Sequence, residues 1–295
     1  MTASALTQYL VSGLTLGSIY GMIALGFALI YNATGIVNFA QGEFVTLGAL
    51  IAISCSAAGA PMPVAVLAGV AAVTVIAAAL EWGAIRPARN ASVITLVIIT
   101  VGASILLRGA AMWLWGPDAL PMRPFSGETP ISIGIAGATI LPQHVWVIGI
   151  VIVTMATLRL LGERTQIGKA MRACSMNREA ARLVGIPAER MVRLSFALSG
   201  LLGSLAGAIV APLAMAQYNM GIMLGLKGFA AAILGGIGNP FGAVLGGLLL
   251  GTLESLGAGV SPAGWSGYKD AIAFGVMLLV LLAKPSGLLG RRSAA

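Results

Sequence analysis

The sequence predicts an all-α polytopic membrane protein with about seven to nine transmembrane helices. Hydrophobic residues make up 58% of its 295 residues and charged residues only 9%, whereas a soluble domain carries about 25% charged residues. Several apolar runs approach the roughly 20 residues that a helix needs to cross a bilayer. These runs are continuous, unlike the alternating pattern of a transmembrane β-barrel.

The first predicted span, Leu6–Tyr31, contains no charged residue. Gly13, Gly17 and Gly21 are spaced four residues apart along it. Small residues at this spacing let two membrane helices approach closely. We therefore expect this ridge of glycines to pack against another helix.

The polar segment Asn32–Phe44 follows the first span, and the apolar run Val45–Ala58 continues as the second. The segment is interpreted either as a short loop at the membrane surface or as the unwound part of a broken second helix. Non-helical backbone at membrane depth must be surrounded by protein or line a cavity. Glu43 is the first charged residue of the chain. An intramembrane acid indicates a functional site, whereas a carboxylate at the membrane surface would have no such role.

Five further apolar runs complete the predicted bundle. They are Val64–Leu80, Ala91–Trp115, His144–Leu161, Ser195–Ala214 and Ala271–Leu289. The loop Gly116–Leu141 is rich in Pro and Gly and is predicted to contain a β-hairpin at Ile131–Ile140. The Gly-rich stretch Leu224–Gly257 is divided by Gly238-Asn239-Pro240 into two arms that are short for a crossing. We predict a re-entrant or short hairpin there.

The basic residues predict the orientation of the bundle. With this number of spans, Arg86, Arg89, the charged loop described next and Arg291-Arg292 all lie on one side. Lys and Arg concentrate on the cytoplasmic side of membrane proteins. We therefore expect the N-terminus to lie outside and the C-terminus in the cytoplasm. The same rule accounts for the net charge of +8 without nucleic-acid binding.

A long charged loop, residues 162–193, lies within the single predicted domain of residues 1–295. Together with Arg159 it holds eight of the seventeen Lys and Arg residues. Its 32 residues exceed the roughly 2–8 that reconnect two helices of a bundle. We therefore predict that this loop is a cytoplasmic docking element.

Two short helices are predicted inside the charged loop, at Gln166–Ser175 and Arg178–Val184. Asn177 is predicted to cap the second helix, because its side-chain oxygen can accept a hydrogen bond from a first-turn backbone amide. Gly185 suits the left-handed position after a helix, and Pro187 prevents continuation. The loop is therefore expected to form a compact projection.

The sequence argues against an enzyme. It lacks the phosphate-loop pattern G-x-x-x-x-G-K-[ST], so we do not expect it to hydrolyse ATP. His144 is the one histidine, and Cys55 and Cys174 are the two cysteines. Cys55 lies in an apolar span and Cys174 in the charged loop, so no disulfide is expected. No catalytic or metal site is predicted from these residues.

Three segments resemble a known family. Glu179-Ala180-Ala181, followed after three residues by Gly185, matches the EAA---G pattern of ABC-importer permeases. The surrounding segment, Gly168–Ile186, resembles the loop of the permease subunits of branched-chain amino acid ABC importers, of the smaller of two types. Gly35–Leu47 and Leu226–Leu250 resemble further segments of the same family, in the same order. The resemblance runs over nearly the full length of the chain.

The resemblance implies that this chain is the membrane-spanning permease of an ATP-driven importer of branched-chain amino acids. Its implied partners are a homologous second permease subunit, two ATP-binding subunits that hold ATP and Mg, and a periplasmic or lipid-anchored substrate-binding protein. The chain itself would bind no cofactor. The implied ATPase-coupling residues are Arg172, Arg178, Glu179, Ala180, Ala181, Leu183 and Gly185. The candidates for the substrate path are Asn38, Gln41, Gly42, Glu43, Gly235, Gly236 and Asn239.

Two alternatives are retained at this point. Similar permeases carry urea, short amides or aromatic acids. An ATP-independent channel or secondary transporter is the other alternative, because a polar break occurs in each half of the chain, around Asn38 and around Asn239. Broken helices in repeated halves are typical of such proteins. The docking-sized loop and the expected scarcity of ionisable groups inside the membrane count against it.

Overall fold

The computed structural model describes residues 3–127, 129–132, 139–260 and 269–290. Helices dominate these residues, and the all-α polytopic class is confirmed. The helices are α1 (Ala3–Thr34), α2 (Gln41–Ala57), α3 (Met62–Leu80), α4 (Val93–Trp115), α5 (Pro142–Arg164), α6 (Gln166–Met176), α7 (Arg178–Leu183), α8 (Ala188–Val210), α9 (Met220–Gly235), α10 (Pro240–Val260) and α11 (Lys269–Ala283). A π-helical turn, Glu81–Ile85, continues α3.

Within the described ranges, six helices are long and apolar enough to cross a membrane: α1, α3 with its π-helical turn, α4, α5, α8 and α10. Three shorter apolar helices accompany them, namely α2, α9 and the Phe274–Ala283 part of α11. If all of them cross, the total is nine, the upper number predicted. The predicted hairpin is also present, with β1 (Ile131–Ser132) antiparallel to β2 (Thr139–Ile140). Its tip, residues 133–138, lies outside the described residues.

The closest pair of helices is α1 with α10, which run antiparallel. A Cβ added at Gly17 would lie 2.7 Å from the Cα of Leu248, and one at Gly13 would lie 2.8 Å from the Cα of Thr252. A Cβ at Gly21 would lie 3.2 Å from the Cα of Val244. The predicted ridge of three glycines therefore packs against another helix, as expected.

Helix α2 lies at the centre of the bundle. It packs against α3, α8 and α9, and most of its side chains are fully buried. Glycines permit this: a Cβ added at Gly48 would collide with the backbone of Ser204, and one at Gly207 with the carbonyl of Val45. Because residues 41–50 of α2 are all buried, the polar groups in this part of the helix are removed from both lipid and water.

Helix α4, in contrast to α2, is mostly exposed. Its buried side chains form one stripe, Leu96, Thr100, Ser104 and Ala111, and most of the remaining helix surface is exposed. The stripe faces α2 and the π-helical turn. Helix α4 is therefore held to the rest of the chain along a single narrow line.

The interruption between the first two helices is shorter than predicted. Helix α1 continues to Thr34 and α2 begins at Gln41, so that Gln41, Gly42 and Glu43 belong to the first turn of α2 rather than to a non-helical segment. Helix α2 is continuous, and the break, residues 35–40, precedes it. This segment is enclosed by protein in part: Asn38 and Ala40 are fully buried, whereas Phe39 is exposed.

Three other predicted boundaries were wrong. Helix α10 reaches a crossing length of 20 residues, whereas its arm of the hairpin was predicted to be short. Helix α8 begins at Ala188, well before the predicted Ser195, and its charged first turns form ion pairs with Glu81, Arg86 and Arg89. Helix α11 ends at Ala283 instead of continuing to Leu289. Beyond it, the backbone amide of Leu288 donates to the carbonyl of Leu234, which draws this segment onto the end of α9.

Gly17→Val is expected to lower the stability of the protein by about 1–3 kcal/mol, because the added atoms overlap the α10 backbone. The measurement is the Tm of the detergent-solubilised protein. Gly102→Val on α4 is the matched control, since a Cβ there meets no atom within 4 Å. Equal Tm values for the two variants would contradict the packing described here.

Candidate coupling surface and buried polar sites

The charged loop folds as two short helices, α6 and α7, as predicted. Thr165 caps α6 by accepting a hydrogen bond from the Gly168 amide at 3.0 Å. Asn177 caps α7 by accepting from the Ala180 amide at 2.9 Å. Gly185 follows α7 with φ +85°, the left-handed conformation predicted for it. Local capping residues therefore determine the shape of this projection, which we call the α6–α7 projection.

The α6–α7 projection has an inner and an outer face. Ala181 is buried and packs with Cys174, Ala188 and Met191. It therefore holds α7 against α6 and α8, and it is not available to contact a partner as expected from the sequence. Leu183 lies on the outer face and is 89% exposed.

The projection carries further exposed apolar side chains. They are Ile167, Met176 and Val184. Among the other predicted coupling residues, Arg172, Glu179, Ala180 and Gly185 are exposed and Arg178 is half-buried. The outer face therefore combines apolar side chains with charged ones, as a docking surface does.

Cys174 has no exposed surface from which to react. Burial raises the pKa of its thiol, whereas the nearby Arg178 and Arg182 lower it by a smaller amount. The thiol is therefore protonated at neutral pH, and a protonated thiol is a poor nucleophile. Its position is structural, inside the inner face of the α6–α7 projection.

The projection is connected to the rest of the bundle by ion pairs that the sequence did not reveal. Glu189, in the first turn of α8, accepts a hydrogen bond from Arg86 Nη2 at 3.0 Å and pairs with Arg89. Glu81, in the π-helical turn, accepts from Arg193 Nε of α8 at 3.1 Å. We call this group of side chains the arginine joint. Its members are Glu81, Arg86, Arg89, Arg182, Glu189 and Arg193.

The arginine joint surrounds an open cavity of about 540 Å3. Arg182, from α7, lies 4.0 Å from Glu189 across this cavity. The joint therefore links α7, the start of α8 and the segment before α4. From the sequence, Arg86 and Arg89 were explained by topology alone, since no local pattern indicates that Glu189 faces Arg86 across about 100 residues of chain.

The first group of predicted substrate-path residues lies together at the start of α2. Gln41 forms hydrogen bonds with Ser199, whose hydroxyl also donates to the Gly26 carbonyl at 3.0 Å. Glu43 accepts from Ser104 Oγ at 2.9 Å and lies 3.6 Å from Arg108 Nε. These side chains are buried. The interpretation of Glu43 as a surface carboxylate is therefore wrong.

The second group of predicted substrate-path residues lies elsewhere, and it consists of Gly235, Gly236 and Asn239. Gly42 packs against Gly221 at the start of α9, whereas Gly235 is at its end and packs against Gly242. The 14 residues between Gly221 and Gly235 correspond to about 21 Å of helix. The structure therefore does not bring the two groups together.

The second group has a structural explanation of its own. Asn239 caps α10 by accepting from the Gly242 amide at 3.2 Å, and its Nδ2 donates to the Leu289 carbonyl at 3.0 Å. Gly236 has φ +104°, and a Cβ there would collide with the backbone of Gly290. This turn anchors the segment after α11, so its break is not equivalent to the break before α2.

A further buried cluster of charges was missed from the sequence. Lys227 of α9 lies 2.8 Å from Glu254 of α10 and 2.8 Å from Asp270 of α11. Tyr20 of α1 donates a hydrogen bond to Glu254 at 2.9 Å. The expectation that ionisable groups would be scarce inside the bundle was therefore wrong. The available signal was Lys227, a single cation in an apolar run.

Together these features define a class of protein. A bundle of apolar helices crosses the membrane and buries several charged side chains, and a folded polar projection outside it presents exposed apolar residues. Within the described residues, no group of three or more His, Cys, Asp or Glu side chains could hold a metal ion. This is the organisation of a transport permease.

Comparison with known proteins gives the family. Residues 9–281 match the family described as "Branched-chain amino acid transport system / permease component". The chain is 36% identical to the high-affinity branched-chain amino acid transport system permease protein BraD of Pseudomonas aeruginosa, over 96% of this chain and 95% of that protein. It is 33% identical to the corresponding protein LivH of Escherichia coli (strain K12), with the same shares covered.

A more distant relative is the ribose import permease protein RbsC of Escherichia coli (strain K12). It is 30% identical, over 89% of this chain and 81% of that protein. The chain belongs to the family of permease components of branched-chain amino acid transport systems. The resemblance found in the three sequence segments is thereby confirmed.

Proposed function

We propose that this protein is the membrane-spanning permease subunit of an ATP-driven importer of branched-chain amino acids. The ATP-driven part of this proposal rests on the outer face of the α6–α7 projection. Leu183 is 89% exposed there, on a folded element outside the bundle where an ATP-binding subunit can dock. BraD and LivH, each about a third identical over nearly the full chain, support the substrate class. No feature of the described structure favours urea, amides or aromatic acids over branched-chain amino acids.

The proposal includes partners. Two ATP-binding subunits hold ATP and Mg, since this chain lacks a phosphate-loop motif, and one of them docks on the α6–α7 projection. A homologous second permease subunit completes the membrane part, and a periplasmic or lipid-anchored binding protein delivers the substrate. The protein lies in the bacterial inner membrane with its N-terminus outside and its C-terminus in the cytoplasm. The basic residues of the projection and the joint support this orientation.

The arginine joint supplies a route by which force from the ATP-binding subunits passes from the α6–α7 projection to the membrane helices. Four residues, 184–187, separate α7 from α8, and Glu189 follows directly in the first turn of α8. Glu189 holds Arg86 and Arg89, which precede α4 by a few residues. A displacement of the α6–α7 projection is therefore passed to α8 and to the segment that carries α4. The weak packing of α4 makes it the element that such a displacement moves at least cost.

The proposed function is tested in proteoliposomes that contain this chain with its second permease subunit, ATP-binding subunits and substrate-binding protein. Leucine, isoleucine and valine are expected to accumulate in the compartment that contains the ATP-binding subunits when ATP is present there. No accumulation is expected when ADP replaces ATP. The measurement is uptake of radiolabelled amino acid. Uptake by this chain alone without ATP would establish the channel alternative instead.

Leu183→Asp is expected to lower ATP-dependent uptake at least about tenfold, because a docked leucine of this exposure contributes about 1.5–3 kcal/mol and an aspartate cannot replace it. Co-purification of the ATP-binding subunits is measured beside uptake. Ile131→Asp is the matched control, since Ile131 is also exposed but lies in β1, at the other end of α5. Equal losses in both variants would refute a specific docking role.

Glu189→Gln is expected to lower the amount of substrate carried per ATP hydrolysed by between about twofold and thirtyfold, as changes along a coupling network do. Its ion pairs are partly exposed, so Tm is expected to change little. Glu163→Gln is the matched control, because the ion pair that the described residues give Glu163 is with Arg159 on its own helix. If Glu189→Gln transports with unchanged stoichiometry, the joint does not transmit the force.

A further inference from the structure

Two buried polar atoms at the start of α2 have no hydrogen-bond partner among the described residues: Asn38 Nδ2 and Glu43 Oε2. The other polar atoms of these side chains are occupied. Asn38 Oδ1 accepts from the Ala40 amide at 3.1 Å, and Glu43 Oε1 accepts from Ser104. Asn38 is fully buried and Glu43 is 2% exposed. Buried polar groups without partners are rare in proteins, and each calls for an explanation.

The two atoms are complementary in chemistry. Asn38 offers an amide N–H donor and Glu43 offers a carboxylate acceptor, and only four residues separate them along the chain. They flank the N-terminus of α2, a helix of 17 residues, where the helix dipole favours negative charge. A ligand that satisfies both atoms must therefore carry a donor for the carboxylate and an acceptor for the amide close together, and these hydrogen bonds are stronger when the ligand groups are charged. The ammonium and carboxylate groups of a free amino acid have this arrangement.

Helix α4 covers this place with polar rather than apolar side chains. Thr100, Ser104 and Arg108 are spaced four residues apart and so lie on one face of α4. Thr100 Oγ1 accepts from the Phe39 amide at 3.2 Å, and Ser104 donates to Glu43. Arg108, whose side chain is 26% exposed, lies at the outer edge. Since α4 is held along this stripe, a movement of α4 away from α2 breaks its contacts with the Phe39 amide and with Glu43.

An apolar surface adjoins the two polar atoms. Phe39, next to Asn38, is 40% exposed, and its ring lies 5.8 Å from that of Phe229. Phe27 packs on the other side of Phe229 at 5.6 Å. An aliphatic side chain attached to a bound head group would therefore meet aromatic carbon rather than charge.

We propose that the start of α2 is a subsite for the zwitterionic head group of an amino acid, with Glu43 Oε2 accepting from the ammonium group and Asn38 Nδ2 donating to the carboxylate. Helix α4 closes the subsite. This inference rests on the proposed function and adds to it, because it assigns part of the substrate selection to the permease. It favours amino acids over neutral solutes such as urea or simple amides.

The test compares three variants in the reconstituted complex with radiolabelled leucine. Glu43→Gln keeps the shape of the side chain but removes its charge, and kcat for uptake is expected to fall about tenfold or more, since a hydrogen bond to a charged group is lost. Glu254→Gln is the matched control for a buried acid in an ion pair, and Lys227 keeps Asp270 as its partner there. Uptake by this control is expected to stay within about twofold of the wild-type protein.

The double variant Glu43→Gln with Arg108→Gln separates binding from structure. It removes the unpaired guanidinium that Glu43→Gln alone leaves behind. If Glu43 only neutralises Arg108, the double variant regains wild-type uptake and Tm, and the inference is overturned. If Glu43 binds the ammonium group, Tm recovers but uptake stays low. A wild-type complex that takes up no branched-chain amino acid would instead refute the proposed function itself.

Discussion

The close approach of glycine-lined helices around α2 is the constraint on which the rest of the structure depends. Lipid tails are as apolar as leucine, so helices in a membrane associate through packing and hydrogen bonds rather than by exclusion from water. Contacts such as Gly42 with Gly221 and Gly48 with Ser204 bring backbones together where a side chain would separate them. As a result α2 is enclosed on all sides, and its polar first turn lies in the protein interior.

Enclosure of polar groups requires compensation, and the described structure supplies it with ion pairs between helices. Glu43 is paired with Arg108, Glu81 with Arg193, and Lys227 with both Glu254 and Asp270. Breaking a buried pair on one side is costly, because the other charge is left uncompensated. Each pair therefore fixes the position of one helix relative to another. Apolar contacts between helices in lipid fix these positions less specifically. The polar residues of this chain thus determine which helices move together.

The elements differ in how firmly they are held, and this difference relates the coupling surface to the interior. The α6–α7 projection lies outside the bundle but is continuous with α8, which packs on α2 and α3. The arginine joint ties the start of α8 to the segment before α4. Helix α4 itself adheres along one stripe that covers Glu43. An event at the projection therefore has a physical route to the most loosely held helix and to the buried acid beneath it.

The sequence alone determined the all-α membrane class, the family and the glycine ridge of α1. It also determined the charged loop with its caps at Asn177 and Gly185. Composition, capping and helix spacing act over a few residues and can therefore be read locally. The sequence alone did not place Ala181 on the inner face, extend α10, or end the break at Ala40. It also did not pair Glu189 with Arg86 or Lys227 with Glu254. These were decided by tertiary structure, because the partners are distant in sequence and the enclosure of α2 depends on three other helices at once.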